Sequence, residues 1–204
     1  MCGRYALFRW AADLEALPGF PEGLRESWNL LPGARTPMLR RQDGGRRVDL
    51  ARWGLTPAWL TDLSRTPAHA RLETVDRQPL FREAFAGRRC LIPANGFFEW
   101  RGVRKRPYWL SVAEPLLFFA AVWEAYPVAD TEYLSFAVIT RAAGEQRRPV
   151  ILDTGQQEAW LDPAMPVADL LALLQGARPA LFERALAHLN KDPRVDGPEC
   201  LAPA

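Results

Sequence analysis

Lysine is nearly missing from this 204-residue chain, with two against 24 arginines, and there are only two histidines, three methionines and three cysteines. Cys2, Cys90 and Cys200 cannot close a disulfide framework and do not stand at metal-ligand spacing. That argues against a disulfide scaffold and a zinc module, and favours a reducing, cytoplasmic setting. No apolar run approaches the ~20 residues a bilayer helix needs. The opening stretch, Met1 to Trp10, has neither the basic leader nor the apolar segment of a secretion signal. Repeats, heptads, low-complexity tracts and linkers are missing too, so a single domain over residues 1–204 is the expectation. No metal, cofactor or membrane partner is expected, and nothing demands more than a monomer.

What is present is an ordinary globular composition, 49% hydrophobic and 25% charged, with a hidden charge asymmetry. Residues 1–106 hold 18 Arg and one Lys against 11 acids, a balance of +8. Residues 107–204 hold six Arg and one Lys against 13 acids, a balance of −6. The first half can therefore carry a basic face suited to phosphates. Arginine is the better bidentate phosphate ligand, although a GC-rich genome gives the same bias, so the split in charge is the stronger clue.

Apolar spacing (Leu7, Ala11, Leu14, Leu17) predicts a helix over residues 7–17, stopped by Pro18-Gly19. Thr36–Arg41 and Arg46–Trp53 read as strands around an Asp43-Gly44-Gly45 turn, a hairpin signal. Pro79–Phe85 reads as a short helix with proline near its start. Strands follow at Cys90–Ile92, Gly96–Arg101, Tyr108–Val112, Leu116–Trp123 and Tyr133–Thr140, and helices at Gln156–Leu161, Val167–Leu174 and Ala180–Asn190. Without βαβ alternation, this pattern predicts an α+β fold: a mainly antiparallel, barrel-like β-sheet body with peripheral helices, the last of them within residues 166–190.

Cys2 is the most informative position. Once the initiator methionine is gone, it carries a free α-amine and a thiol on adjacent carbons. Both nucleophilic forms are available near neutral pH. Such a 1,2-aminothiol acts as an N-terminal nucleophile, or condenses with an aldehyde through an imine to a five-membered thiazolidine. Gly3 lets the backbone approach a ligand, and Arg4 sets a positive charge beside the thiol. Glu99, embedded in Asn95-Gly96-Phe97-Phe98-Glu99-Trp100, is expected to be desolvated among aromatics and to serve in proton transfer. His69, between small residues and two before Arg71, is a candidate pocket residue; His188 reads as a helix-surface residue. Trp28, Trp53, Trp59, Phe97, Phe98 and Trp100 are interleaved with Arg4, Arg25, Arg52, Arg71 and Arg101. Arginines for phosphates and aromatic faces for unstacked bases are how single-stranded nucleic acid is gripped. Most of these aromatics also serve the core, so one or two are expected to meet a ligand.

Taken in order, the chain resembles the SOS-response-associated peptidase family, whose members process abasic sites in DNA. The matching segments are Met1-Cys2-Gly3-Arg4-Tyr5, Trp28-Asn29-Leu30-Leu31-Pro32-Gly33, Trp53-Gly54-Leu55-Thr56-Pro57-Ala58-Trp59 and Ala70-Arg71-Leu72-Glu73-Thr74. Further on come Arg89 through Trp100, Phe119–Trp123, Phe136–Thr140 and Arg147-Arg148-Pro149-Val150-Ile151-Leu152. Each segment is weak alone; the set, covering residues 1 to about 165, is specific. The resemblance implies that Cys2, exposed by autocatalytic removal of Met1, captures the aldehyde of an abasic deoxyribose in single-stranded DNA as a covalent thiazolidine crosslink. It implies that Glu99 gives and takes protons, that Arg4, Arg71 and Arg147 contact phosphates, and that Asn29, Pro32 and Trp59 lie near the DNA. A weak lyase activity follows from the imine, and a role in the DNA damage response from the family.

Two departures stand out. The family's asparagine before Ala-Arg-x-Glu-Thr is His69 here. The family's His-Asp-Arg-x-Pro is Glu145-Gln146-Arg147-Arg148-Pro149, which removes a histidine that assists sugar ring opening. Either His69 takes over both duties, donating a hydrogen bond and shuttling protons, or the crosslink forms and reverses more slowly. A tryptophan the family carries next to Trp59 is Leu60. Three other readings remain: a glutamine amidotransferase using Cys2, a non-covalent reader of single-stranded DNA, and a peptidase acting on other proteins.

Overall fold

The computed structural model describes residues 3–64, 66–128, 131–187, 192 and 194–204. In chain order the strands and helices are β1 (Tyr5–Leu7), α1 (Ala12–Glu15), β2 (Ser27–Leu30), β3 (Arg35–Gln42), β4 (Gly45–Trp53), β5 (His69–Arg71), α2 (Arg82–Gly87), β6 (Arg89–Ala94) and β7 (Gly96–Arg101). They continue as β8 (Arg106–Ser111), β9 (Leu117–Val128), β10 (Thr131–Ala143), β11 (Gln146–Pro149), β12 (Ile151–Leu152), α3 (Thr154–Leu161), α4 (Val167–Gly176) and β13 (Phe182–Ala185), followed by a 3-10 turn at Pro198–Leu201. The fold is α+β and mainly antiparallel, as the sequence pattern implies.

Five strands close on themselves. β3 pairs with β4 and with β6, β6 with β9, and β9 with β10. β10 returns to β4 in parallel through Ser135 opposite Arg52 and Phe136 opposite Trp53. Closure removes the open edges that a sheet of such apolar strands would otherwise expose. The β3–β4 hairpin that seeds the ring turns through Asp43 and Gly44, both at positive φ (51° and 78°), the geometry a two-residue hairpin demands. A second, antiparallel sheet runs β13-β8-β7-β1-β2.

Strand alternation distributes the core. Met38, Cys90, Ile92, Phe119, Ala121 and Phe136 pack toward Tyr5, Phe97 and Leu110 of the second sheet. Their neighbours Leu39, Leu91, Ala120, Val122 and Ala137 pack toward Phe85 of α2, Trp160 of α3 and Leu170 and Leu174 of α4. α3 is closed by a capping box, with Asp153 accepting from the Gln156 backbone and the Gln156 side chain accepting from the Asp153 backbone. Arg89 is buried and forms no salt bridge among the described residues. Its guanidinium donates to the carbonyls of Trp160 (2.8 Å), Phe85 (3.2 Å), Asp162 (2.6 Å) and Ala86. It thereby satisfies carbonyls at the ends of α2 and α3, where helical partners run out.

Two residues of the Asn95-Gly96 pair set the mouth of the second sheet. Asn95 accepts from the backbone of Phe8 and Arg9 and donates to the carbonyls of Arg9 and Pro115, tying the β6–β7 turn to the chain after β1. A Cβ on Gly96 would sit 2.4 Å from the Trp109 ring and 2.5 Å from the Leu110 carbonyl, so only glycine allows β7 and β8 to approach.

Three expectations need correction. The helix expected over residues 7–17 is β1 followed by α1, because Leu7 is a buried strand residue pairing with Ser27. The short helix begins at Arg82 rather than Pro79 and runs to Gly87. The helix expected over residues 180–190 is the strand β13 over Phe182–Ala185, where pairing with the open edge of β8 overrides local helix preference. Residues 188–190 of that segment, His188 included, lie outside the described residues. No helix among the described residues is long and apolar enough to cross a membrane.

Candidate active site and nucleic-acid interface

β1 and β7 are antiparallel neighbours, with Tyr5 opposite Phe97 and Ala6 opposite Gly96, and the Phe98 N–H donates to the Arg4 carbonyl at 3.0 Å. Continued by one pair, this register sets Gly3 at the level of Glu99. Met1 and Cys2 lie outside the described residues.

Along β7, Phe98 packs on one face with Ala6 and Trp109, while Phe97 joins the core on the other. Glu99 shares the face of Phe97. Its carboxylate is buried, 6% exposed, yet its partners are not the aromatics expected from its neighbours in sequence. Arg101 donates to Oε2 from Nη2 (2.7 Å) and Nε (3.2 Å), and Arg148 of β11 donates from Nη2 (2.9 Å) with Nε 3.4 Å from Oε1. Glu183 of β13 accepts from the same two arginines, at 2.7 Å from Arg101 Nη1 and 3.0 Å from Arg148 Nη2. Hydrogen bonds from Arg101 hold the Glu183 carboxyl below its ordinary range against some desolvation, and Arg148 adds to the effect. Glu183 in return raises the Arg101 guanidinium above its ordinary value, with Glu99 contributing. The aromatic setting expected for Glu99 fails because alternation turns Phe98 and Trp100 away, and a strand remote in sequence supplies the contact.

The basic residues gather on a second axis. β5 runs parallel to β10, with His69 opposite Val138 and Arg71 opposite Thr140. His69 and Arg71 share one face while Ala70 is buried between them. The half-buried His69 ring stands edge-on to the Trp53 indole at 5.5 Å, whose N–H donates to the Ala68 carbonyl. Arg147 donates to Thr140 Oγ1 (3.2 Å) and to its carbonyl (2.7 Å), so Arg71 and Arg147 flank the same threonine. Glu73 pairs with Arg147 at 2.7 Å and accepts from the Ala142 N–H. Desolvation acts to raise the Glu73 carboxyl, but hydrogen bonds from Arg147 and the backbone outweigh it and hold it below its ordinary value. Arg71 is exposed and forms no salt bridge among the described residues. Arg4 lies 5.7 Å from the Trp100 ring, its guanidinium lowered from the ordinary value chiefly by burial.

Pro32 and Trp59 are exposed, Trp59 to 60%, in the loops after β2 and β4. Asn29 is buried; its Nδ2 donates to the Val195 carbonyl at 2.8 Å, and its Oδ1 has no hydrogen-bond partner among the described residues. Trp28 stacks on Phe8 (3.7 Å) and Trp53 is buried, so neither offers a free face as Trp59 does. Among the described residues no cluster of His, Cys, Asp or Glu is placed to hold a metal ion. Cys90 and Cys200 are buried free thiols, and burial pushes the Cys90 thiol well above its ordinary value.

Sequence reading misses Arg148, Glu183 and Glu73 as partners of the site, and names Arg101 only as one of the arginines for phosphate, not as a partner of Glu99. Arg148 stood in the Arg147-Arg148-Pro149 motif without a role of its own. Nothing local signalled that β11 and β13 meet β7.

A closed ring of strands with an adjoining sheet, a buried glutamate beside the N-terminal strand and a row of arginines together define the setting. The model of the family "SOS response associated peptidase (SRAP)" matches residues 1–187, and the chain belongs to that family. It is 31% identical over 194 residues to the abasic site processing protein YoqW of Bacillus subtilis, covering 86% of this chain and 87% of that one. It is 28% identical over 262 residues to the abasic site processing protein HMCES of Gallus gallus, covering 100% and 78%. Among solved structures, a phage-related protein of Bordetella bronchiseptica superposes with a TM-score of 0.74 at 27% identity, over 92% of this chain and 95% of that one. A protein from Bacteroides thetaiotaomicron has the same fold, with a TM-score of 0.84 at 24% identity and full coverage of both chains.

Proposed function

We propose that this protein senses abasic sites in single-stranded DNA and captures them covalently through Cys2. The observation that carries the reading is the β1–β7 register, which sets Gly3, one residue from Cys2, at the level of the buried Glu99. Family membership and the names of the relatives support the substrate class.

The chain is first a peptidase on itself: water adds across the Met1–Cys2 bond, freeing methionine and the Cys2 α-amine. An abasic deoxyribose opens to an aldehyde. The amine adds to the carbonyl carbon, water leaves, and the thiolate closes on the imine carbon, so aldehyde and aminothiol give a thiazolidine and one water. Glu99 moves protons in ring opening, addition and dehydration. It does so through Oε1, whose one contact among the described residues is Arg148 Nε at 3.4 Å, while Oε2 keeps both arginines. His69 assists on the Arg71 side, in place of the histidine the family motif carries. Arg4, Arg71 and Arg147 hold backbone phosphates, while Pro32 and Trp59 meet bases; Asn29 shapes the floor. The protein acts as a monomer in the cytoplasm, at the nucleoid when DNA-bound, and slow β-elimination from the imine gives weak lyase activity.

Intact-protein mass with and without an abasic single-stranded oligonucleotide tests this directly. The expected spectrum shows loss of one methionine and an adduct of protein plus oligonucleotide minus water. Retained methionine, or an equal adduct from Cys2→Ala, sinks the proposal.

A further inference from the structure

The two arginines that hold Glu99 also hold an anion nearer the surface. Glu183 places one carboxylate oxygen on each of them, Oε2 on Arg101 and Oε1 on Arg148. Two oxygens bridging two guanidiniums is the arrangement in which the non-bridging oxygens of a phosphodiester are gripped. Glu99 is nearly sealed, its side chain 7% exposed, whereas the Glu183 side chain is 36% exposed and those of Arg101 and Arg148 are 29% and 27% exposed. Arg106, the cross-strand partner of Arg101, adds an exposed cation at the same edge. Arg148 Nη1 has no hydrogen-bond partner among the described residues and is left to donate to a further oxygen.

We propose that Arg101 and Arg148 form a phosphate-binding pair for the DNA strand that enters beside Glu99, and that Glu183 fills this pair as an internal anion until DNA displaces it. The proposal rests on the reading that the ligand is DNA, and adds two arginines and a competing carboxylate to the candidate site. Glu183 is suited to leave. It sits on a four-residue edge strand whose first three residues are exposed, and an exposed ion pair of this kind holds its partners weakly. Glu99, which holds Arg101 through Nη2 and Nε and Arg148 through Nη2, keeps both arginines in place after the exchange. Entry of the strand thus replaces one anion by another at constant local charge, and a strand without a phosphate at this position leaves Glu183 seated.

Titration of an undamaged, fluorescein-labelled single-stranded oligodeoxynucleotide across a range of NaCl concentrations tests the pair without involving any chemistry. Glu183→Gln keeps the shape of the side chain and removes the competitor. It is expected to bind about threefold to tenfold more tightly at low salt, with the slope of log K against log salt steeper by about 0.7, one phosphate's worth on a single strand. Glu183→Ala is expected to do the same, Arg148→Gln and Arg101→Gln to bind more weakly with a shallower slope, and Glu183→Gln/Arg148→Gln to lose the gain. Unchanged or weaker binding by both Glu183 variants, or a gain that survives in the double variant, overturns the proposal. Failure to crosslink abasic DNA would sink the function proposed above and leave this titration readable. Failure of the titration in a protein that crosslinks would sink the pair alone.

Discussion

Arg148 Nη2 lies 2.9 Å from Glu99 Oε2, a contact that joins β11 of the ring-forming sheet to β7 of the neighbouring one. It makes the buried glutamate an acceptor at the seam between two sheets, beside the strand that carries the N-terminus. Glu99→Gln keeps the hydrogen-bonding shape and removes the proton carrier. Crosslinking to an abasic single strand and release of Met1 should both slow by about 10²–10⁴-fold. Binding to undamaged strand should be retained, as single-turnover gels and anisotropy will report.

His69 presents its half-buried ring on the face it shares with Arg71. If it performs the duties of the missing histidine, His69→Ala should crosslink at least about tenfold more slowly. His69→Asn, which restores the residue found in the family motif, should fall between. Equal rates for all three proteins would remove His69 from the mechanism.

Glu73 holds Arg147, and its carboxyl is lowered in the folded chain. A carboxyl lowered on folding stabilises above its unfolded value, and that contribution is lost as pH falls through the folded value. Wild type should therefore be more stable than Glu73→Gln at neutral pH, and the difference should vanish below the ordinary glutamate range. Urea unfolding at the two pH values measures it. The freed Arg147 should also make the variant's DNA binding more salt-sensitive.

Arg89 satisfies four carbonyls from within the core. Arg89→Met removes this donor from all four, of which the Asp162 carbonyl keeps the Met165 N–H, at a cost of about 2–4 kcal/mol in denaturant unfolding. Arg89→Lys, with three donors on a single nitrogen, should recover only part.

Cys90 and Cys200 are buried, and the Cys90 thiol is pushed well above its ordinary value. Iodoacetamide on the native protein should label Cys2 alone, and the other two only after denaturation. Peptide mapping reads the ratio, and prompt labelling of Cys90 in the native state would contradict the packing described.

Local pattern carried a great deal of this molecule. The Asp43-Gly44 turn, the alternation of the long strands and the apolar face of α4 are set by neighbours in sequence, because hydrophobic period and turn chemistry act over a few residues. Arg4, Glu99 and Arg71 could be singled out from residue type and neighbours visible in one dimension, and Arg147 from the family resemblance. What surrounds them is not. Leu7 was drawn into a helix by spacing that tertiary pairing with β2 overrode, and Phe182–Ala185 became a strand because β8 offered an unpaired edge. Glu99, expected among aromatics, met Arg101 of its own strand and Arg148 from 49 positions on, with a second carboxylate, Glu183, from 84 positions on sharing both arginines, since only strand pairing and sheet packing bring β11 and β13 to β7. The sequence determined which side chains could do chemistry and where the long strands β3, β4, β9 and β10 would form. The tertiary structure decided which charges share a site, because Coulomb interactions and hydrogen bonds depend on distance in space, and that distance is set by the register of strands far apart in the chain.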